Sequence, residues 1–526
     1  MKTYFISLFL LSVFLIGCKT ESNNDNTVET GNFSFEEITI TELQQGYADG
    51  TFTITEIIQK HLDRIDAIDK NGPELNSIIQ INPDALVIAQ QLDKELSEGK
   101  SRGSLHGIPI IIKDNIDTHD NMFTTAGSRA LEGSKPLQDS FIAKKLKEAG
   151  AIIIAKANLS EWANFRGEMS SSGWSGINGQ TKNPYILDRN PCGSSSGSGA
   201  AVSAGLSLIA IGTETNGSIV CPSNANGVVG IKPTVGLVSR SGIIPISFTQ
   251  DTAGPMARTL TDAVICLNTL IGIDSTDTKT LASTANIQKD YTQFLKTDGL
   301  KGKKIGIYTR PLGRHYKVDT IFNQAVAYIE SQGAHVVKID KIVENNIGGL
   351  SFQIMLYEYK DGLTKYFKSL GPNAKIKSLE ELIAFNKKDS IEMEFYNQKY
   401  LEMALEKEDL NSVDYKKTLA NMLKGSRENG IDKVMNEHQL DAIIAPTGGP
   451  AWKTDHTNGD SFHVGSSSPA ARAGYPNITI PMGFIEGLPV GISFFGRAWS
   501  EPILLEIAYT YEQGTKHRKA PEFLEQ

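Results

Sequence analysis

Apolar residues follow two different patterns along this chain. In residues 53–68, 141–150 and 262–272 they recur every three or four positions, which predicts amphipathic helices. Residues 105–113 and 151–156 are instead almost continuous apolar runs, and such runs are typical of strands covered on both faces. Because helices and buried strands alternate, the pattern predicts an α/β fold with a largely parallel or mixed sheet.

The apolar run at 105–113 ends on a lysine, Lys113. Only His106 is polar among the eight residues before it. A strand of this composition is expected to carry the lysine side chain into a dry region, where burial lowers the pKa of an amine. The alternative is a surface lysine at the end of a strand, which is the commoner position for a lysine.

Two clusters of glycine and serine, at residues 193–199 and 212–218, flank a run of small apolar residues. We predict that this run forms a helix at about 197–205 and a strand at about 207–212. Glycines let backbone N–H groups approach a ligand closely, and serine hydroxyls can act as nucleophiles or proton carriers. The two clusters are therefore the candidate centre of the chemistry.

One interpretation uses the first cluster alone. Residues 193–197 satisfy the GxSxG pattern, in which Ser195 would be the nucleophile of an α/β-hydrolase. That fold also needs an acid and then a histidine later in the chain. Asp441 and His463 could fill these places, although no local signal favours them.

Composition and charge limit the classes of function that this chain can have. The chain has 526 residues, and its length alone suggests several domains. The net charge of −8 argues against a general nucleic-acid binder, because phosphate contacts need a basic surface. The four cysteines include no CxxC pair and indicate neither a metal site nor a disulfide framework. We expect Cys192, Cys221 and Cys266 to be buried, inert thiols.

The N-terminus has the features of a targeting segment. Lys2 precedes an apolar run at 4–16, which is too short to span a bilayer comfortably but suits a signal peptide. Gly17-Cys18 then completes a pattern that resembles a bacterial lipobox. We predict a signal peptide at 1–17, lipidation of Cys18, a flexible tether to residue 32, and an exported, membrane-anchored protein on the periplasmic or cell-surface side. The alternative is an ordinary secretory signal in which the cysteine is incidental.

The sequence pattern of the region from about 274 to 441 differs from that of the rest of the chain. Its segment 379–424 is strongly helical and charged. We interpret its glutamates as parts of solvated helix faces, with a helical cap over a substrate entrance as the alternative. These residues are Glu380, Glu381, Glu392, Glu394, Glu402, Glu406 and Glu408.

Lys113, Ser194 and Ser218 together resemble the catalytic constellation of the amidase signature family. The two serines are 24 positions apart (218 − 194), as in that family. The resemblance covers about 33–515, and further matching segments lie at 212–219, 230–234, 251–255, 445–447, 474–476 and 489–491. It implies one large α/β domain at 33–522, with a mixed twisted sheet covered by helices on both sides, in place of several domains.

The resemblance also implies a mechanism. Ser218 would attack an amide carbonyl, and neutral Lys113 would act as the base through Ser194, which follows a cis peptide bond in the family. Ser195 would be a supporting residue. An oxyanion hole would form from the backbone N–H groups of Thr215, Asn216, Gly217 and Ser218. An acyl-enzyme on Ser218 would then be hydrolysed, and no metal or cofactor is needed.

The resemblance indicates the substrate less closely than it indicates the catalytic residues. Residues 220–222 and 239–256 resemble the bacterial peptide amidases, which hydrolyse C-terminal peptide amides. Val220 departs from many family members, which carry arginine at this position, and a role for a charge beside Ser218 is therefore in doubt. We predict an exported amidase acting on a small-molecule or peptide amide, without a nucleic-acid partner. The alternatives are a fatty or aryl amidase, the amide-transferring subunit of a tRNA-dependent amidotransferase, an esterase, and a non-catalytic binding lipoprotein.

Overall fold

A computed structural model describes residues 35–344 and 346–526. The predicted signal peptide, Cys18 and the tether to residue 32 lie outside these residues. Within them, eleven strands form one sheet in the order β1-β3-β2-β6-β8-β7-β12-β13-β11-β9-β10, and β4 and β5 form a separate two-stranded ribbon. The strands are β1 (Ile78–Ile81), β2 (Pro109–Lys113), β3 (Ile152–Ala157), β4 (Trp174–Ser175), β5 (Gly179–Gln180), β6 (Ile209–Glu214), β7 (Val229–Lys232), β8 (Thr252–Ala257), β9 (Lys304–Tyr308), β10 (His335–Ile339), β11 (Ala442–Pro446), β12 (Asn477–Ile485) and β13 (Leu488–Phe495).

The sheet is mixed, as predicted. Strands β3, β2 and β6 run parallel, as do β10, β9 and β11, whereas β8, β7, β12 and β13 join these two groups through antiparallel pairs. Every residue of β2 and β3 is buried, because their continuous apolar runs are covered on both faces. The prediction of an α/β domain built on one large mixed sheet is confirmed.

The described residues also include fifteen α-helices. Helix α2 begins after Thr53, whose hydroxyl accepts a hydrogen bond from the backbone N–H of Glu56, as a helix cap should. Among the described residues, none of the helices combines the length and the apolar composition that a membrane span requires. The α-helices are α1 (Ile40–Ala48), α2 (Ile54–Arg64), α3 (Ala85–Ser97), α4 (Phe141–Glu148), α5 (Ser196–Ser203), α6 (Val220–Ala225), α7 (Leu260–Leu270), α8 (Tyr316–Ser331), α9 (Ile347–Ser369), α10 (Leu379–Asn386), α11 (Lys399–Leu405), α12 (Val413–Ser426), α13 (Asp432–Glu437), α14 (Ser468–Ala473) and α15 (Glu501–Thr515).

The glutamates of the helix-rich region do not all face solvent. Glu392 lies outside the helices and is fully buried. Its carboxylate accepts hydrogen bonds from Arg166 Nη1 at 2.9 Å and from the backbone N–H of Arg129 at 2.7 Å. The interpretation of Glu392 as part of a solvated helix face is therefore wrong. A buried carboxylate is tolerated here because it is hydrogen-bonded and paired with the Arg166 guanidinium, which it shares with Glu161.

Candidate active site

Lys113 ends β2 in the interior of the sheet, between β3 and β6, and its side chain is completely buried. Its Nζ lies 2.7 Å from Ser194 Oγ and 2.9 Å from Thr213 Oγ1. Thr213 is on β6, so the parallel pairing of β2 with β6 places the amine beside this hydroxyl. The alternative of a surface lysine is excluded.

Burial lowers the pKa of Lys113 to about 7. The negative charges of Asp251 and Glu214 act in the opposite direction and raise it. The amine is therefore neutral in a substantial fraction of molecules near neutral pH, where an exposed lysine, with a pKa of about 10.4, is almost fully protonated. A neutral amine can accept the proton of the Ser194 hydroxyl.

Ser194 lies in the loop before α5, and the Gly193–Ser194 peptide bond is cis, as expected. Its carbonyl accepts a hydrogen bond from the backbone N–H of Ser160 at 3.1 Å. A Cβ atom at Gly193 would lie 2.2 Å from Ser160 Oγ, so a larger residue would collide there. Packing against Ser160 thus fixes the backbone that carries the Ser194 hydroxyl.

Ser218 follows β6 and lies two positions before the first residue of α6. Its carbonyl accepts the backbone N–H of Ser195 at 3.2 Å, which joins the two glycine–serine clusters. Downstream, Glu214 Oε2 accepts the backbone N–H groups of Ile219 at 2.8 Å and Val220 at 3.1 Å. The end of β6 therefore holds the chain on the C-terminal side of Ser218.

The turn before Ser218 presents backbone donors. Gly217 has φ +87°, a conformation that glycine adopts without strain. The side chain of Thr215 donates to Asp251 Oδ1 at 2.6 Å, and Asn216 Oδ1 accepts from Ser467 Oγ at 2.8 Å. Within the described parts of the chain, no atom accepts a hydrogen bond from the N–H groups of Asn216, Gly217 or Ser218. Such free donors are what an oxyanion requires.

A disulfide bond, which the sequence interpretation missed, joins the residue before the first cluster to a residue of α6 after the second. Cys192 and Cys221 are 29 positions apart, and their Cα atoms lie 5.9 Å apart. The prediction that both are free thiols is wrong, whereas Cys266 is free and buried as expected. The bond forms because α6 folds back against the loop before Gly193.

Comparison with known proteins identifies the family. Residues 56–505 match the family model described as Amidase. The chain belongs to the amidase signature family. It is 39% identical to a probable amidase from Arabidopsis thaliana over 506 residues, covering 94% of this chain and 93% of that protein.

Two further relatives of this amidase are informative. A crystal structure of the peptide amidase PAM with the competitive inhibitor chymostatin superposes with a TM-score of 0.91 and 46% identity, covering 93% of this chain and 100% of that one. One subunit of the glutamyl-tRNA(Gln) amidotransferase from Thermoanaerobacter pseudethanolicus is 32% identical over 498 residues, covering 92% of this chain and 98% of that protein. The chain is thus an enzyme of the amide-hydrolysing class.

The GxSxG interpretation fails in this amidase. The Ser195 hydroxyl lies 3.1 Å from the carbonyl of Thr213 and 3.2 Å from its N–H, so it is bound to the backbone of β6. Asp441 instead accepts the backbone N–H of Lys304 at 2.7 Å, and His463 Nε2 lies 2.9 Å from Ser461 Oγ. Ser195 therefore supports the site, and the structure assembles no triad around it.

Two polar residues of the site were not assigned a role from the sequence. Thr213 sits in β6, and its Oγ1 accepts from Asn115 Nδ2 at 3.1 Å as well as contacting the Lys113 amine. In the sequence Asn115 indicates only a turn after the apolar strand. Its position beside Thr213 depends on the pairing of β2 with β6.

Proposed function

We propose that this amidase hydrolyses the C-terminal amide of peptides to the acid and ammonia, with Ser218, Ser194 and Lys113 as the catalytic residues. The observation that carries the proposal is the 2.7 Å approach of the buried Lys113 amine to the Ser194 hydroxyl. Serine is a weak nucleophile and needs an adjacent base. The likeness to a solved peptide amidase supports the choice of substrate.

In the proposed mechanism, Ser218 Oγ forms a bond to the carbonyl carbon of the substrate amide. Its proton passes to Ser194 Oγ while the Ser194 proton passes to Lys113 Nζ. The negative charge that develops on the carbonyl oxygen is stabilised by the N–H groups of the turn at 215–218.

The tetrahedral intermediate then collapses. The proton returns through Ser194 to the nitrogen of the leaving group, and ammonia departs as the C–N bond breaks. An acyl-enzyme remains on Ser218. Water repeats the sequence, with its proton again taken by the serine–lysine pair, and releases the carboxylic acid.

The substrate is tested with a panel of amides. The full-length chain is given an acetylated dipeptide amide, free glutamine, an aryl amide and a long-chain fatty amide, and ammonia or amine release is measured. We expect kcat/KM for the dipeptide amide to be highest, by about tenfold or more. A preference for the fatty or aryl amide, or no turnover of the peptide amide, would reject the assignment.

We further propose that the enzyme is exported and anchored through lipidated Cys18. The apolar run at 4–16 and its terminal Gly17-Cys18 support this. The Cys192–Cys221 disulfide supports it independently, since such bonds persist mainly in oxidising compartments.

The anchor is tested by expressing the chain in bacteria with an alkyne-labelled fatty acid. The wild type should be labelled and recovered with membranes, whereas Cys18→Ser should be unlabelled. Cys266→Ser is the matched control and should keep the label. An unlabelled wild type in the soluble cytosolic fraction would contradict the proposal.

A further inference from the structure

A cavity of about 220 Å³ lies close to the turn that precedes Ser218, and three arginines line it. Arg310 and Arg314 come from the segment after β9, and Arg472 comes from α14. We call this cavity the arginine pocket.

The positive charges of the arginine pocket are unmatched. Among the described residues, no carboxylate lies within 4.0 Å of any of the three guanidinium groups. Two acidic residues that follow the first two of these arginines in the chain have other partners: Asp340 accepts from Thr309 Oγ1 at 2.7 Å, and Asp319 accepts from the N–H of Gly313 at 3.0 Å. These two carboxylates therefore do not neutralise the positive charge of the arginine pocket.

Arg472 gives a second indication that the arginine pocket suits an anion. Its Nε is buried and has no hydrogen-bond acceptor within the described residues. Burial and the positive charge of Arg310 both lower the pKa of Arg472. A buried guanidinium donor without an acceptor is costly, and an anion in the pocket would remove that cost.

The arginine pocket is connected to the catalytic turn. Ser468 lines the pocket, and its Oγ accepts a hydrogen bond from Asn216 Nδ2 at 3.2 Å. The neighbouring Ser467 donates to Asn216 Oδ1 at 2.8 Å. Asn216 is two positions before Ser218, so a group in the pocket lies next to the turn that holds the nucleophile.

The shape of the arginine pocket suits part of a substrate. Its remaining walls include the apolar or aromatic side chains Tyr308, Pro311, Val343 and Phe462. Its volume is below the range of about 300–1,000 Å³ that accommodates a whole drug-sized ligand. An acidic side chain fits this description, because its carboxylate would meet the arginines while its methylenes contact the apolar walls.

We propose that the arginine pocket binds a carboxylate of the substrate, so that the enzyme prefers peptide amides with an acidic residue near the amide. The inference rests on the proposed function, because it names a substrate class for the same site. Arg310 and Arg314 are exposed, so their replacement leaves the core intact.

The test compares acetyl-Glu-Leu-amide with acetyl-Met-Leu-amide, which has a neutral side chain of similar length. We expect kcat/KM to be about tenfold higher for the acidic peptide, because hydrogen bonds between a carboxylate and a guanidinium are stronger than those between neutral groups. Arg310→Gln with Arg314→Gln should remove this preference by raising KM for the acidic peptide alone. Arg472→Gln by itself should also reduce the preference.

The matched control replaces two exposed lysines, Lys94→Gln with Lys144→Gln, and changes the net charge by the same amount. These residues lie on α3 and α4, which pack near β3, whereas β9 lies near the opposite edge of the sheet. The control should keep the acidic preference. Equal kcat/KM for the two peptides in the wild type would overturn the inference and leave the proposed function standing.

Binding to Ser218→Ala separates the two proposals. In that background, calorimetry should show tighter binding of the acidic peptide, and the arginine replacements should abolish the difference. If the wild type hydrolyses neither peptide, the proposed function fails, and calorimetry still decides whether the pocket holds a carboxylate. Equal binding of both peptides to Ser218→Ala would reject the pocket.

Discussion

Replacing Ser218 by alanine will lower kcat/KM for peptide amides by about 10⁴-fold or more, since loss of a nucleophile removes covalent catalysis entirely. The fold will be retained. Ser218 contributes to the joining of the two clusters through its backbone carbonyl, which alanine also has. Ammonia release measures the activity, and circular dichroism with a thermal melt measures the fold.

Ser195→Ala is the matched control for this experiment, because it removes a hydroxyl from the same site. Among the described residues, its hydroxyl forms hydrogen bonds only with the backbone of Thr213. We expect a loss of activity within about tenfold and a lower melting temperature, as for the loss of a buried hydrogen bond. If Ser218→Ala keeps full activity, Ser218 is not the nucleophile. If Ser195→Ala is inactive in the same assay, Ser195 takes that role.

Replacing Lys113 will have a comparably large effect. We expect Lys113→Ala to lose about 10⁴-fold or more in kcat/KM, because the serine pair then has no base. Lys113→Arg should be equally inactive, since a guanidinium stays protonated and cannot accept a proton. A small primary amine added to Lys113→Ala should restore part of the activity, which a purely structural lysine would not allow.

The pH dependence follows from the protonation of Lys113. The pKa of this amine is lowered to about 7, and only the neutral form acts as a base. The value of kcat/KM should therefore rise with pH and level off above about 7. Because the charge of Asp251 raises the pKa of Lys113, Asp251→Asn should shift the acid limb to lower pH. A profile that is flat between pH 5 and 9 would exclude lysine as the base.

Much of the site was predictable because its signals are local. An apolar run makes a buried strand, so the dry position of Lys113 follows from residues 105–112 alone. The glycines around the two serine clusters mark close backbone approaches, and Gly193 and Gly217 both meet that requirement. One local pattern was misleading. GxSxG at 193–197 indicates that Ser195 is a nucleophile, whereas in the structure its hydroxyl is hydrogen-bonded to the backbone of β6.

The amino-acid sequence by itself determined the α/β class, the strand that buries Lys113 and the order of the two serine clusters, since each depends on residues close together in the chain. Only the tertiary structure decided the Cys192–Cys221 bond, the burial of Glu392 against Arg166 and the arginine pocket. Arg314 and Arg472 are more than 150 positions apart. Contacts over such distances depend on how the strands are ordered in the sheet, which no local periodicity encodes.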